Sequence, residues 1–240
     1  MILRLAATLA CALALAACEK PGTQPDRPPT SAEFPLPDRP VSDLGATSVS
    51  TEDARDSRGE AQKVMDLAEL KPGMTVADIG AGEGYYTVRL AERVGGGGRV
   101  LAQDIDREAL GRLGQRIERE RFDNISIKLG SEDDPQLPVD SFDRIFLVHM
   151  YHEVSEPYAF LWRLWPALTQ NGEIVVVDTD RPTDRHGIPP LLLSCEFEAV
   201  GYKLVEFVEK PDIRGYFARF ARGDARREPA EIEPCSSKPR

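Results

Sequence analysis

Two short stretches of this chain carry residues whose types and spacing could do chemistry. The first, Val76-Ala77-Asp78-Ile79-Gly80-Ala81-Gly82-Glu83-Gly84-Tyr85-Tyr86, runs an apolar segment straight into three glycines at alternate positions. Asp78 stands two residues ahead of the first of them. Glycine lets a backbone turn sharply and approach a ligand closely, and the amides at a helix start that follows are left free to face that ligand. The second stretch, Val148-His149-Met150-Tyr151-His152-Glu153, holds two of the three histidines in the chain beside a tyrosine and a glutamate. At a strand end such a group can supply a general base or orient a substrate; either histidine could equally do no more than pack and hydrogen-bond. A metal would need a third ligand, and the HxxHE order is not the HExxH of zinc proteases, so no metal site is expected.

The elements that must position these residues alternate along the chain. Asp56 to Leu70 has apolar residues spaced for one helix face, and Lys71-Pro72-Gly73 ends it. Strands are predicted at 74–79, 99–105, 125–129, 142–148 and 173–178, with helices at 84–94, 107–120, 158–168 (interrupted or ended near Pro166) and 188–200. Asn171-Gly172 reads as a turn. Strands separated by helices imply right-handed crossovers and a parallel sheet covered on both faces. The last two strands, 202–208 and 216–221, have no helix between them and read as an antiparallel hairpin at the sheet edge.

Open α/β sheets bind ligands at the carboxyl ends of their strands, which is where the glycine turn falls. Two cofactor classes compete for it. A dinucleotide fingerprint, G-x-G-x-x-G, needs its third glycine three residues after the second; here that position is Tyr85, and the third glycine comes one step early, at Gly84. The spacing G-x-G-x-G, with Asp78 ahead of it, resembles motif I of the class I S-adenosylmethionine-dependent methyltransferases. The resemblance runs from about Glu60 to Ala221 and is strongest over Lys71 to Asp106. It implies a Rossmann-like α/β fold: a mostly parallel seven-stranded sheet with an antiparallel last strand and helices on both faces.

The resemblance also implies S-adenosyl-L-methionine as cofactor, with Asp78, Gly80, Ala81, Gly82, Gly84 and Tyr85 around it. A carboxylate about 20 residues past the loop can accept both ribose hydroxyls. By resemblance this is Asp104, followed by Ile105, with Asp106 starting the next helix; both acids could also be simple helix-start residues. After the third strand comes Gly130-Ser131-Glu132-Asp133-Asp134. In the family an acid of this loop reads adenine, which leaves Glu132 or Asp133, or a merely solvated acidic loop. The segment with His149, Tyr151, His152 and Glu153 resembles the region after strand four of small-molecule methyltransferases and would lie beside the methyl group, His149 also near the cofactor. Asp178 to Pro190 would lie over the same pocket as a lid, where Arg181, Arg185 and His186 could grip an anionic acceptor. The implied reaction is methyl transfer to an unidentified, small-molecule acceptor.

The chain has 240 residues, 41% of them hydrophobic, and a net charge of −10. That balance argues against wrapping nucleic acid, which needs clustered Lys and Arg. Leu5 to Ala17 is an apolar, small-residue run after Arg4, too short to span a bilayer, which takes about 20 residues, and of signal-peptide size. It ends in Leu15-Ala16-Ala17-Cys18, which resembles a bacterial lipobox. The organisation expected is a signal peptide (1–17), a disordered tether (18–50) lipidated at Cys18, a methyltransferase-like domain (51–222) and a disordered tail (223–240). Such a protein would be lipid-anchored in the cell envelope, facing the periplasm. Cys195 and Cys235 could pair in that oxidising compartment. Because S-adenosylmethionine is made in the cytoplasm, an exported binding module without turnover is the alternative function. Nothing in the sequence sets the oligomeric state.

Overall fold

A computed structural model of the protein describes residues 27–44 and 51–236. The leader and residues 18–26 and 45–50 of the expected tether, Cys18 among them, lie outside these residues. In chain order the elements are α1 (Glu52–Ser57), α2 (Glu60–Leu67), β1 (Thr75–Ile79), α3 (Tyr85–Val94), β2 (Arg99–Asp104), α4 (Arg107–Glu120), β3 (Ile125–Leu129), β4 (Phe142–Val148), α5 (Pro157–Leu164), β5 (Leu168–Asp178), α6 (Pro190–Val200), β6 (Tyr202–Lys210) and β7 (Gly215–Arg222). They form one seven-stranded sheet in the order β3-β2-β1-β4-β5-β7-β6. β1 to β5 are parallel, and β7 inserts antiparallel between β5 and β6. The order reverses beside β1, so the ends of β1 and β4 open a crevice for a ligand.

Strand alternation distributes the core over both faces. Ala77, Ile79, Ile145, Leu147, Ile174 and Val176 pack under α5 and α6. Val76, Phe146, Val175, Val177 and Phe217 pack under α2 and α3, while Leu110 and Leu113 of α4 cover Ala102.

Three local features have physical causes; the first and third differ from the sequence reading, and the end of α5 near Pro166 was expected. The first predicted helix is two, because Gly59 adopts φ +63° and breaks the ladder between α1 and α2. Pro166 ends α5 at Leu164, and Trp165–Ala167 forms a 3-10 turn. The expected Asn171-Gly172 turn is instead a bulge inside a longer β5, where the register against β4 jumps from Phe142↔Leu168 to Arg144↔Glu173.

The larger correction concerns the ends of the domain. Residues 27–44, expected within a disordered tether, are packed along it. Phe34 is buried edge-on to Trp162. Arg27 pairs with Glu156 at 2.6 Å, and Arg39 with Glu196 at 2.7 Å, the latter fully buried. The tail is likewise tied down: Cys235 forms a disulfide with Cys195, Ile232 is buried, and the Cys235 amide donates to the Tyr158 hydroxyl at 2.7 Å. Low apolar content predicts disorder only when a segment cannot bury enough of itself, and here a few residues find deep, charge-matched sites. Among the described residues no helix is long and apolar enough to cross a membrane.

Candidate functional site

The carboxyl ends of β1, β2 and β4 open into a cleft of about 1120 Å³. One wall is the turn from β1 into α3. Gly80, Gly82 and Gly84 all have positive φ, at +69°, +54° and +91°. Two of them are also sterically required: a Cβ on Gly80 would stand 2.9 Å from Met150 Cγ, and one on Gly84 would stand 2.4 Å from Leu113 Cδ1. A Cβ on Gly82 would meet nothing within 4 Å. The middle glycine therefore keeps open the space into which a ligand can approach the backbone.

Asp104 lies in the cleft at the end of β2, where its carboxylate accepts the Gly82 amide at 2.7 Å and the Asp106 amide at 2.9 Å. Asp106 caps α4 through the amides of Glu108 and Ala109, the simple helix-start role. Ala81, Tyr85, Ile105, Ser131 and Glu132 line the same side. Such a wall of glycine backbone, strand-end carboxylate, apolar contacts and a second acid fits the loop, ribose and adenine parts of an adenosine-type cofactor, with Gly82 giving the room.

Two residues assigned to the cofactor by sequence are elsewhere. Asp78 shares the sheet face of Val76, so its side chain lies under α3, where the Thr87 hydroxyl donates to it at 2.6 Å. It does not line the cleft but braces the turn from below, and burial pushes its carboxyl up to about 7. Asp133 is also buried. It accepts the hydroxyls of Thr30, Ser31 and Ser131 and pairs with Arg163 at 2.7 Å. Burial opposes its ionisation, but those donors win and its pKa is lowered. Of the two acids left open by the sequence, Glu132 is the one that reaches the cleft.

The opposite wall comes from the end of β4 and the loop after β5. His149, Met150, His152 and Glu153 line it with Thr179, Arg181 and His186; Arg185 does not reach the cleft. His149, at φ +55°, places Nε2 3.5 Å from Glu60 Oε1. His152 is almost wholly buried. Its Nδ1 lies 2.9 Å from Asp178 Oδ2, and Asp178 has no exposure. A carboxylate accepts, so Nδ1 is the donor in this pair and Nε2 is the ring nitrogen left over. Nε2 has no hydrogen-bond partner. Tyr151, expected to be catalytic, is turned into the core instead: its hydroxyl donates to Glu196 at 2.8 Å and its ring packs on Phe197. The pairing of His152 with Asp178 needs β4 and β5 side by side, which the segment carrying His152 does not show.

The roof of the cleft was not foreseen. Glu52, Arg55, Arg58 and Glu60 line it from α1, the α1–α2 link and α2, and Val41 to Leu44 from the N-terminal segment. Arg55 donates to Glu60 at 2.6 and 2.9 Å and stacks 3.8 Å from the Tyr85 ring centre. Burial disfavours the Glu60 anion, but hydrogen bonds from His149 and Arg55 overcome it and hold the carboxyl at about 2. No sequence pattern marks this cluster, because each member is an ordinary polar residue of a short helix or of the link between two helices.

Comparison with known proteins agrees with this geometry. The profile of a family described as a methyltransferase domain matches residues 70–205, more than half of the chain. The nocamycin O-methyltransferase of Saccharothrix syringae is 34% identical over 86 residues, covering 36% of this chain and 31% of that protein. The ubiquinone/menaquinone biosynthesis C-methyltransferase of Methylococcus capsulatus is 28% identical over 148 residues, covering 61% and 57%. The chain thus spans between about a third and somewhat over half the length of these curated relatives. A solved S-adenosylmethionine-dependent methyltransferase from Aquifex aeolicus superposes with a TM-score of 0.61 at 26% identity, covering 70% of this chain and 90% of that one.

Proposed function

Because the chain belongs to the methyltransferase domain family, whose class I members use S-adenosylmethionine, we propose that it transfers a methyl group to a small-molecule acceptor held between the two walls of the cleft. The observation that carries this reading is one space with the open Gly82–Asp104 cradle on one side and the unpartnered His152 Nε2 on the other. S-adenosylmethionine supplies an electrophilic methyl group. The turn from Gly80 to Gly84, Asp104, Ile105 and Glu132 would hold it. Methyl transfer is an in-line displacement, so positioning supplies much of the catalysis. His152, oriented by Asp178, would accept a proton from an oxygen or nitrogen acceptor, with Glu153 beside it. Arg181, exposed at the lip, offers an anionic acceptor a charge.

The test is calorimetry of the full chain with S-adenosylmethionine, followed by detection of S-adenosylhomocysteine on adding candidate hydroxylated or quinol acceptors. Absence of saturable cofactor binding would overturn the reading.

We place the protein in the cell envelope, anchored through Cys18. The lipobox-like Leu15–Cys18 supports this, as does the Cys195–Cys235 disulfide, since disulfides persist in oxidising compartments. The same disulfide favours a second reading, an exported module that binds the cofactor or a related nucleoside without turnover. Formation of S-adenosylhomocysteine with any acceptor would exclude it. An alkaline phosphatase fusion after Ser50 that stayed inactive would refute export.

A further inference from the structure

In the sequence the histidines of the His149–Glu153 segment lack a third ligand, and no metal site is expected. The fold supplies one. His186, on the loop after β5, comes in over the end of β4, its ring 5.7 Å from that of His152 and nearly perpendicular to it. One ligand atom from each of His152, Glu153 and His186 lies within 4.8 Å of the other two, and His152 Nε2 is already 3.8 Å from Glu153 Oε1. Ligands around a tetrahedral zinc ion stand roughly 3.4 Å apart, given bond lengths of about 2.0–2.1 Å. The cluster would need to contract by up to about 1.4 Å at its widest, within reach of a loop side chain and a glutamate rotamer.

Two independent features point to a ligand. The buried Nε2 of His152 has no hydrogen-bond partner, and neither has His186 Nδ1. An orphaned buried ring nitrogen is costly unless something occupies it. In addition, Asp178 accepts from His152 Nδ1, the carboxylate–histidine arrangement that fixes the tautomer and raises the basicity of a metal-ligating imidazole.

The loop that brings His186 is itself held. Ser42 of the N-terminal segment donates to the Thr183 carbonyl at 2.6 Å and accepts the His186 amide at 3.0 Å. His186 keeps φ +52°, a conformation that persists only where its surroundings fix it.

We propose that His152, Glu153 and His186 form a binding site for a divalent transition metal of the zinc class, with a fourth position open to the cleft. Two imidazoles and one carboxylate are the donor set of catalytic zinc sites that keep such a position, and of open facial iron sites. An ion there would take an oxygen of the acceptor and ease loss of its proton to solvent. It would replace His152 as the activating group, since Nε2 cannot hold both the ion and a proton. The site is defined by metal binding alone and does not depend on methyl transfer.

The experiment strips the full chain with a chelator and titrates it with zinc by calorimetry, then with cobalt, whose visible bands report tetrahedral nitrogen and oxygen ligation. One equivalent of zinc is expected to bind saturably. His186→Ala should weaken it by about tenfold or more, and Asp178→Asn by roughly 10–100-fold. His186→Ala changes only a loop side chain, so its folding can be checked by thermal melting. No saturable zinc uptake, or uptake unchanged in both His186→Ala and His152→Ala, would overturn the proposal. S-adenosylhomocysteine formation, measured separately, tests the methyl-transfer reading, so either can fail alone.

Discussion

Replacing Glu60 with glutamine should remove about 3 kcal/mol of stability at neutral pH, and the loss should shrink in acid. Glu60 is 1% exposed, so solvent does little to screen it. Its carboxyl is held at about 2 against an ordinary 4.5. At about 1.4 kcal/mol per unit, that difference of roughly 2.5 units corresponds to about 3 kcal/mol. The sign follows from the depressed value: the contribution is complete above about 4.5 and disappears as pH falls toward 2. Near pH 3 the folded carboxyl is still mostly ionised and the unfolded one is not, which leaves about 1.4 kcal/mol. Glutamine keeps the shape but leaves the Arg55 guanidinium without its counter-charge and His149 without its anchor. Urea unfolding of both proteins at about pH 7 and pH 3 measures the gap directly. A gap that does not change with pH, or one below about 1 kcal/mol at neutral pH, would refute the electrostatic reasoning. The variant should also bind S-adenosylmethionine more weakly, because the roof over the cleft loosens.

Four further outcomes follow from the same structure. Gly84→Ala should cost about 2–5 kcal/mol, combining a left-handed alanine with a clash on buried Leu113. Gly82→Ala should cost only about 1–2 kcal/mol yet weaken cofactor binding; thermal melts beside calorimetry separate the two, and unchanged affinity in Gly82→Ala would contradict the cradle. Asp78→Asn should leave cofactor affinity nearly intact. It should also stabilise the protein at pH 8 relative to pH 4, since a carboxyl raised to about 7 costs stability as pH climbs from about 4 to 7; a large loss of binding would place Asp78 on the ligand after all. Cys235→Ser, or reduction of the Cys195 disulfide, should lower stability by up to about 4 kcal/mol, the loop-entropy value for a 40-residue separation, with the variant and the reduced protein melting together.

The sequence was most informative where chemistry and structure are local. Strand, glycine turn and helix from Val76 to Val94 are neighbours along the chain, so their spacing alone separated a methyltransferase-type turn from a dinucleotide one. Strand and helix periods placed all seven strands, and the absence of a helix before the last strand foretold the antiparallel pair. Side-chain direction was harder. Asp78, Asp133 and Tyr151 have the right types at the right distances, but strand parity and loop packing turned each away from the cleft. Only the hydrogen bonds they make away from the cleft (with Thr87, with Thr30 and Ser31, and with Glu196) show this.

By itself the sequence determined the fold family, the cofactor class and the strand ends that carry the chemistry, because these are written in short periods and fixed spacings. The tertiary structure decided what closes the site. Arg39 meets Glu196 across 157 residues, Ser31 meets Asp133 across 102, and His186 meets His152 only because β4 and β5 lie side by side. Such pairs leave no period in the chain. They are chosen by the fit of single residues into sites that exist only once the sheet has formed.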